Sequence, residues 1–159
     1  AVRMTKWPAA SLHIATVDTY TGERLIIDRS AGVPVAAASA ASSAVPGLFS
    51  PQPILDRKCM DGGVSGSGIH SDVVCGASRA VILSLGANAT MPEAMMTIKP
   101  TALADEVAAL QAHGTEVIVH GPEPTEVSKL MSPSAVPEAM AMGQRQAAEH
   151  AAELSTFWH

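Results

Sequence analysis

A continuous apolar run at residues 80–85, with the sequence Ala-Val-Ile-Leu-Ser-Leu, is the feature that most constrains the fold of this 159-residue chain. Strands that are covered by helices on both faces carry such runs, whereas half-exposed strands alternate apolar and polar residues. The run therefore predicts a strand of a parallel sheet with helices packed on both sides. A sheet of that kind needs further strands and helices from the rest of the chain.

Strand and helix patterns alternate along the sequence. Residues 12–18 and 23–28 flank a Thr21-Gly22 turn, which predicts a hairpin. Small residues after Pro34 predict a helix that Pro46-Gly47 ends. The predicted elements beyond the hairpin are a helix at Val35–Ser42, the strand at 80–85, a helix at 101–113, a strand at Glu116–His120 and a helix at 133–157 that is either continuous or broken at Gly143. This order predicts an α/β fold of three layers, with a mainly parallel sheet flanked by helices.

Composition narrows the classes of function. Hydrophobic residues make up 47% of the chain and aromatic residues 3%, so small aliphatic side chains must fill the core. The net charge of −5, without a basic cluster, argues against a surface that binds nucleic acid or an anionic membrane. Cys59 and Cys75 have no metal-ligand spacing and are predicted to be buried thiols in a reducing compartment. No apolar run is long enough to span a bilayer, so we expect a soluble, cytoplasmic protein.

The sequence Asp61-Gly62-Gly63 is the strongest chemical signal. It follows a short apolar segment near Ile54 and a predicted turn at residues 56–58. Glycine permits positive φ and close backbone approach, so the carboxylate can lie at the tip of a tight turn that faces a cleft. There it could accept the proton of a serine hydroxyl. Asp and Gly are also the commonest turn residues, and for these three residues taken alone an ordinary turn is the more frequent explanation.

Together with a second motif, this sequence resembles a known family. The run Ala-Ser-Ser-Ala-Val-Pro-Gly-Leu-Phe at residues 41–49, followed by Asp61-Gly62-Gly63, closely resembles the patatin-like phospholipases. The other stretches that carry the resemblance are Trp7-Pro8, residues 12–18, Thr21-Gly22, residues 61–64 and residues 76–81. It implies that residues 1–159 form the C-terminal portion of such a domain, with part of a patatin-like fold and a lipid acyl ester as substrate.

The resemblance also implies roles for single residues. Asp61 is expected to be the base of a Ser–Asp dyad, and Gly62 and Gly63 are expected to shape its turn. Relatives often carry asparagine in the loop that follows, where this chain has His70. His70 is either a donor that lines the substrate pocket or a solvated or locally hydrogen-bonded loop residue. Neither a metal nor an organic cofactor is expected, and the other histidines have no ligand spacing with one another or with cysteine.

The first member of the dyad, a serine in a Gly-x-Ser-x-Gly elbow, is not found in these 159 residues. Two near matches, centred on Ser65 and Ser78, lack the final glycine. Ser78 also precedes a predicted strand, whereas an elbow serine follows a strand and opens a helix. The nucleophile and the oxyanion hole are therefore expected to come from a second polypeptide or from a longer parent chain.

Two functions follow from this reasoning. The first is a serine-dependent lipid acyl hydrolase to which this chain contributes the aspartate, with peripheral membrane contact. The alternative is a non-catalytic α/β module that pairs with itself or with a partner. Half of a sheet leaves an open edge and an apolar face, so either function predicts a homo-oligomer or pairing with the missing half. Methionines within the predicted loop at residues 86–98 either fill gaps in the core or offer an adaptable surface for acyl chains.

Overall fold

The computed structural model describes residues 6–66, 68–85, 87, 89–90, 99, 101–123, 125–126 and 132–159. The chain divides into two compact units, Ala1–Val73 and Val74–His159. Strands and helices are both present, so the α/β class is confirmed. The interpretation of residues 1–159 as one portion of a larger hydrolase domain stays a prediction.

The first unit is a four-stranded sheet with one helix packed against it. Its strands follow the order β2-β1-β4-β3, and each neighbouring pair is antiparallel. The elements are β1 (Ile14–Asp18), β2 (Arg24–Ile27), α1 (Val35–Ser42), β3 (Gln52–Ile54) and β4 (Arg57–Asp61). The strand that ends in Asp61 therefore lies in the middle of the sheet, between β1 and β3.

The predicted β1–β2 hairpin is confirmed. The side chain of Asp18 accepts hydrogen bonds from the backbone N–H groups of Tyr20 at 2.8 Å and Thr21 at 3.2 Å. These bonds close the turn, and the first of them is the main reason that the pKa of Asp18 is lowered. Gly22 follows with a φ of 72°, a conformation that glycine adopts without steric cost.

Small residues let α1 approach the sheet closely. Ala38 and Ala41 are fully buried on the helix face that packs against the strands. They share a core cluster with Ile27, Ile54 and Cys59. Alanine takes the place of larger side chains at this contact, in agreement with the low aromatic content of the chain.

In its described residues, the second unit contains parallel strand pairs and two helices. β5 (Arg79–Leu83) pairs with β7 (Glu116–His120), and β6 (Ala89–Thr90) pairs with β8 (Thr125–Glu126). The helices are α2 (Ala102–Ala112) and α3 (Val136–Trp158). Neither of them, nor α1, combines the length and apolar character needed to cross a bilayer, within the part of the chain that the structure describes.

Several predictions need correction. The largest described sheet is antiparallel, and among the described strands parallel pairing is confined to the two short sheets of the second unit. The run at 80–85 is buried on one face only: Ala80 and Ile82 are buried, whereas Leu83 is 79% and Leu85 is 73% exposed. Helix α3 continues through Gly143 without a break. A three-layer, patatin-like arrangement stays a prediction.

Two local predictions were also wrong. The turn expected at residues 56–58 lies at Leu55 and Asp56, because Arg57 and Lys58 belong to β4 and pair with β3. Cys59 is buried as expected, but Cys75 is exposed, and both are free thiols. Most of the loop predicted at 86–98, including its methionines, lies outside the described residues.

Candidate active site around Asp61

Backbone pairing on both sides fixes the position of Asp61. It is the last residue of β4 and stands opposite Thr16 of β1 in the antiparallel register. Its own N–H donates to the carbonyl oxygen of Ala44 at 3.1 Å, which ties the end of β4 to the segment after α1. The motif at residues 41–49 and the Asp-Gly-Gly motif are thus in direct contact.

One oxygen of the Asp61 carboxylate is anchored by the turn that follows. Oδ1 accepts a hydrogen bond from the N–H of Gly63 at 2.7 Å, so Asp61 caps a short 3-10 turn at Gly62–Val64. Within the described part of the chain, Oδ2 makes no hydrogen bond. The carboxylate is half-buried and oriented, and it keeps one oxygen able to accept a proton.

Gly62 is required for space against the backbone of β1, and Gly63 leaves room for the Asp61 side chain. Neither belongs to the described glycines with positive φ, so of the two reasons inferred from the sequence, positive φ was wrong and close backbone approach agrees with the structure. A Cβ on Gly62 would lie 2.4 Å from the carbonyl oxygen of Ala15, and a Cβ on Gly63 would lie 2.9 Å from Asp61 Oδ1. Close approach to β1 and to the carboxylate is therefore what these glycines permit.

His70 lies beside this turn and is 7% exposed. Its Nε2 is 2.7 Å from the carbonyl oxygen of Gly62, and its Nδ1 is 3.3 Å from Nη1 of Arg24. A neutral imidazole with its proton on Nε2 satisfies both contacts, because Nε2–H donates to the carbonyl and Nδ1 accepts from arginine. His70 is therefore locally hydrogen-bonded and buried rather than solvated.

The surrounding contacts hold His70 in a strained backbone conformation. Its φ is 59°, a left-handed value that costs a non-glycine residue free energy. Arg24 reaches past His70 to form a two-pronged ion pair with Asp72, at 2.6 and 2.7 Å. The hydrogen bond from Arg24 is the main reason that the pKa of Asp72 is lowered. A chain of contacts thus runs from Asp72 through Arg24 and His70 to the Asp61 turn.

Asp61 and His70 line the same cavity, which has a volume of about 350 Å³. Its polar wall also contains His13 and Ser42, and Ala15, Ile26, Ile69 and Val73 supply apolar surface. Small-molecule sites combine apolar walls with a few convergent polar groups in this way, from about 300 Å³ upward. We call this space the Asp61 cavity.

The two near matches to a serine elbow have the wrong surroundings. Ser78 directly precedes β5, and its carbonyl oxygen accepts the N–H of Glu116, so it lies at the start of a strand as predicted. Ser65 follows the 3-10 turn at Gly62–Val64. Neither follows a strand and opens a helix, which a nucleophile elbow requires.

The second unit brings together residues that the sequence did not connect. His120, His150 and Glu153 each offer a ligand atom, and these atoms lie within 4.8 Å of one another. His150 and Glu153 are three apart on a predicted helix, which is a detectable signal because such residues share a helix face. Their proximity to His120, at the end of β7, depends on a contact that sequence spacing does not contain.

Comparison with known proteins relates part of the chain to a family of enzymes. The family model of patatin-like phospholipase matches residues 3–74. No curated protein matches the chain. The matched segment contains the 41–49 run, Asp61-Gly62-Gly63 and His70, and ends one position beyond the first unit, Ala1–Val73. Residues 76–81, which the sequence resemblance also includes, lie outside the match.

The match supports a relationship of the first unit to this family, and at family level it points to lipid acyl hydrolysis. It does not assign the chain to the C-terminal half of the family's domain, which stays a prediction. The four site residues predicted from the sequence all fall in the matched segment and all line the Asp61 cavity: Asp61, Gly62, Gly63 and His70.

Proposed function

We propose that this protein takes part in serine-dependent hydrolysis of lipid acyl esters and that Asp61 supplies the base of a Ser–Asp dyad. The observation that carries the proposal is the Asp61 carboxylate: one oxygen is held by the Gly63 N–H at 2.7 Å, and the residue lines a cavity of about 350 Å³. The match to patatin-like phospholipases over residues 3–74 supports the same chemistry.

The reaction proceeds in two halves. Asp61 Oδ2 accepts the serine proton while the serine oxygen attacks the ester carbonyl carbon, and backbone N–H groups stabilise the oxyanion. The intermediate collapses, the bond to the alcohol breaks, and the alcohol leaves with the proton from Asp61. Water then gives a proton to Asp61 and attacks the acyl-serine, and the serine recovers that proton as the acid departs.

Gly62, Gly63 and His70 position the base in this scheme. Gly62 lets the turn lie against β1, and His70 holds the Gly62 carbonyl from the other side. The serine and the oxyanion hole come from residues outside these 159. A dyad needs its two members within hydrogen-bond reach, so that segment must enter the Asp61 cavity.

A lipid substrate brings the first unit to a membrane surface. Leu48 and Phe49, both exposed, are adjacent in the segment that follows α1. Exposed apolar side chains of this type bind a membrane by burying apolar area at the boundary between headgroups and acyl chains. They are the residues that we propose for peripheral membrane contact.

The alternative, a non-catalytic module that pairs with itself or a partner, is favoured by a different observation. Leu83 and Leu85 are exposed in the second unit, at and just beyond the end of β5. Uncovered apolar residues of this kind are common at interfaces between chains. This function requires no chemistry at Asp61.

Hydrolysis of p-nitrophenyl butyrate distinguishes the hydrolase from the non-catalytic module. We would assay the 159-residue chain and the same chain expressed behind the coding region upstream of Ala1. Replacing a catalytic base by an amide removes proton transfer, so Asp61→Asn should lower kcat/KM by about 100-fold or more. Asp56→Asn is the matched control, because Asp56 is an exposed turn residue of the same unit.

The dyad is supported if Asp61→Asn abolishes hydrolysis while Asp56→Asn retains it. Hydrolysis that survives Asp61→Asn contradicts the proposal, and so does the absence of hydrolysis from both forms of the protein. In the second case the pairing module becomes the better account. Circular dichroism of each variant shows whether the fold is retained.

A further inference from the structure

A histidine–histidine–glutamate cluster lies in the second unit where β7 meets α3. His120 is the last residue of β7, and His150 and Glu153 lie three apart on α3. Gln146 of α3 donates to the carbonyl oxygen of Gly121 at 3.0 Å, which holds the helix beside the end of the strand. We call these three residues the His120 cluster.

Two of the separations within the cluster are close to those around a tetrahedral metal ion, and all three ligand atoms lie within 4.8 Å of one another. Glu153 Oε2 lies 3.2 Å from His150 Nδ1 and 3.8 Å from His120 Nε2. Bonds of about 2.0 to 2.2 Å from Zn²⁺ to nitrogen and oxygen place tetrahedral ligand atoms about 3.3 to 3.6 Å apart. The observed separations fall on either side of that range, so small side-chain adjustments would complete the site.

One ring nitrogen of His120 is buried without a hydrogen bond. This atom, Nε2, makes no hydrogen bond within the described part of the chain. The 3.8 Å separation from Glu153 is too long for one. Because an unsatisfied buried polar atom is costly, a cation that accepts the nitrogen lone pair would stabilise this arrangement.

The surroundings of the His120 cluster favour one kind of metal ion. His120 and His150 line a cavity of about 440 Å³, whose apolar wall includes Leu85, Met142 and Leu154. Imidazole nitrogens favour zinc and its neighbours, whereas Mg²⁺ and Ca²⁺ prefer oxygen ligands. The Glu153 carboxylate supplies negative charge that attracts a cation.

We propose that His120, His150 and Glu153 form a three-ligand Zn²⁺ site. Sites with three protein ligands keep a fourth position for water or another small ligand, whereas structural sites are closed by four. The cavity beside both imidazoles provides room for that fourth ligand. The site lies within the second unit and uses none of the residues of the Asp61 cavity.

Calorimetric titration of the metal-free protein with Zn²⁺ tests this site. After dialysis against EDTA, the full chain should bind one Zn²⁺, and Co²⁺ at the same site should give the visible absorption of tetrahedral coordination. Loss of a ligand should weaken binding at least as much as loss of an outer-shell partner, about 10- to 100-fold or more. We therefore expect His150→Gln and Glu153→Gln each to reduce the affinity by about 100-fold.

Three variants serve as controls. Glu149→Gln changes an exposed carboxylate on the same helix, His159→Asn removes an exposed histidine, and Cys75→Ser removes the exposed thiol. Each should bind Zn²⁺ with wild-type affinity. The proposal is overturned if the wild-type protein binds no Zn²⁺, if the two ligand variants bind as tightly as Glu149→Gln, or if Cys75→Ser abolishes binding. Glu153 is exposed, so its replacement should leave the fold intact.

Discussion

At the scale of single residues, Gly62 gives the clearest link between sequence and site. A Cβ at this position would lie 2.4 Å from a backbone oxygen and 2.8 Å from a backbone carbon of Ala15, neither of which can rotate away. Gly62→Ala must therefore push β4 away from β1 and displace Asp61. We expect a loss of about 1 to 3 kcal/mol in the free energy of unfolding, measured by urea denaturation.

Gly143→Ala adds the same methyl group where nothing lies within 4 Å. Gly143 lies inside α3, so alanine should stabilise the protein by up to about 1 kcal/mol. If Gly62→Ala proved as stable as the wild-type protein, the close approach of the Asp61 turn to β1 would be wrong.

The sequence predicted which residues surround Asp61 better than it predicted the physical reason for each residue. Asp61, Gly62, Gly63 and His70 do line one cavity. The glycines serve packing rather than positive φ, because the neighbour that excludes a side chain, Ala15, is distant in sequence. His70 is buried through contacts with Arg24 and Gly62, and no property of a lone histidine in a loop reveals such contacts.

At the scale of elements, the β3–β4 hairpin contains an unfavourable turn residue. Leu55 opens the two-residue loop with a φ of 56° and is 71% exposed. Two-residue hairpin loops favour glycine at such a position, because a Cβ costs about 1 to 2 kcal/mol in the left-handed region. We expect Leu55→Gly to raise the free energy of unfolding by about 1 kcal/mol in a urea titration.

Leu48→Gly is the matched control for this change. Leu48 is also an exposed leucine of the first unit, but it does not share the positive φ of Leu55. The same substitution there removes backbone restriction without relieving strain, so it should destabilise the protein. Equal effects at the two positions would contradict the role assigned to the Leu55 turn.

Elements with strong local patterns were predicted closely. Helix α1 and strand β7 have the predicted bounds, and α2 lies within its predicted range. The β3–β4 hairpin was missed because Pro53 lies inside β3 and leucine opens the turn, and neither residue is typical of such a hairpin. Strand direction was predicted from the apolar run at 80–85, which says nothing of the antiparallel pairing of β1 with β4.

At the scale of the whole molecule, the exposed leucines of the second unit predict self-association. Leu83 and Leu85 expose most of their surface, and β5 pairs with β7 among the described strands. Burying such side chains against a second copy removes apolar surface from water, at about 25 cal/mol per Å². We expect sedimentation equilibrium at micromolar concentration to give a mass of at least twice 16.3 kDa.

Leu83→Ser together with Leu85→Ser should shift this equilibrium toward the single chain, since both side chains are exposed and their loss leaves the core unchanged. A wild-type protein that sediments as one species of 16.3 kDa and binds no dye specific for exposed apolar surface would contradict the prediction. It would also remove the observation that favours the pairing module.

The division of the chain into two compact units was not predictable from sequence patterns. The chain has two compact units, and the family match covers the first, whereas sequence reasoning treated residues 1–159 as one portion of a domain. A domain boundary lies where few contacts cross between two parts of a chain, and neither Val73 nor Val74 is a residue typical of linkers. The His120 cluster was missed because it depends on a contact between β7 and α3, two elements that are far apart in the sequence.

The central claim is that Asp61 activates a serine, and covalent trapping tests it most directly. A fluorophosphonate reacts with an activated serine, and mass spectrometry identifies the labelled residue and the labelling rate. With the chain expressed behind its upstream coding region, the account predicts labelling of one serine in a Gly-x-Ser-x-Gly sequence. It predicts labelling slower by about 100-fold or more in Asp61→Asn, and an unchanged rate in Asp56→Asn. Equal rates in wild type and Asp61→Asn, or no labelled serine at all, would contradict it.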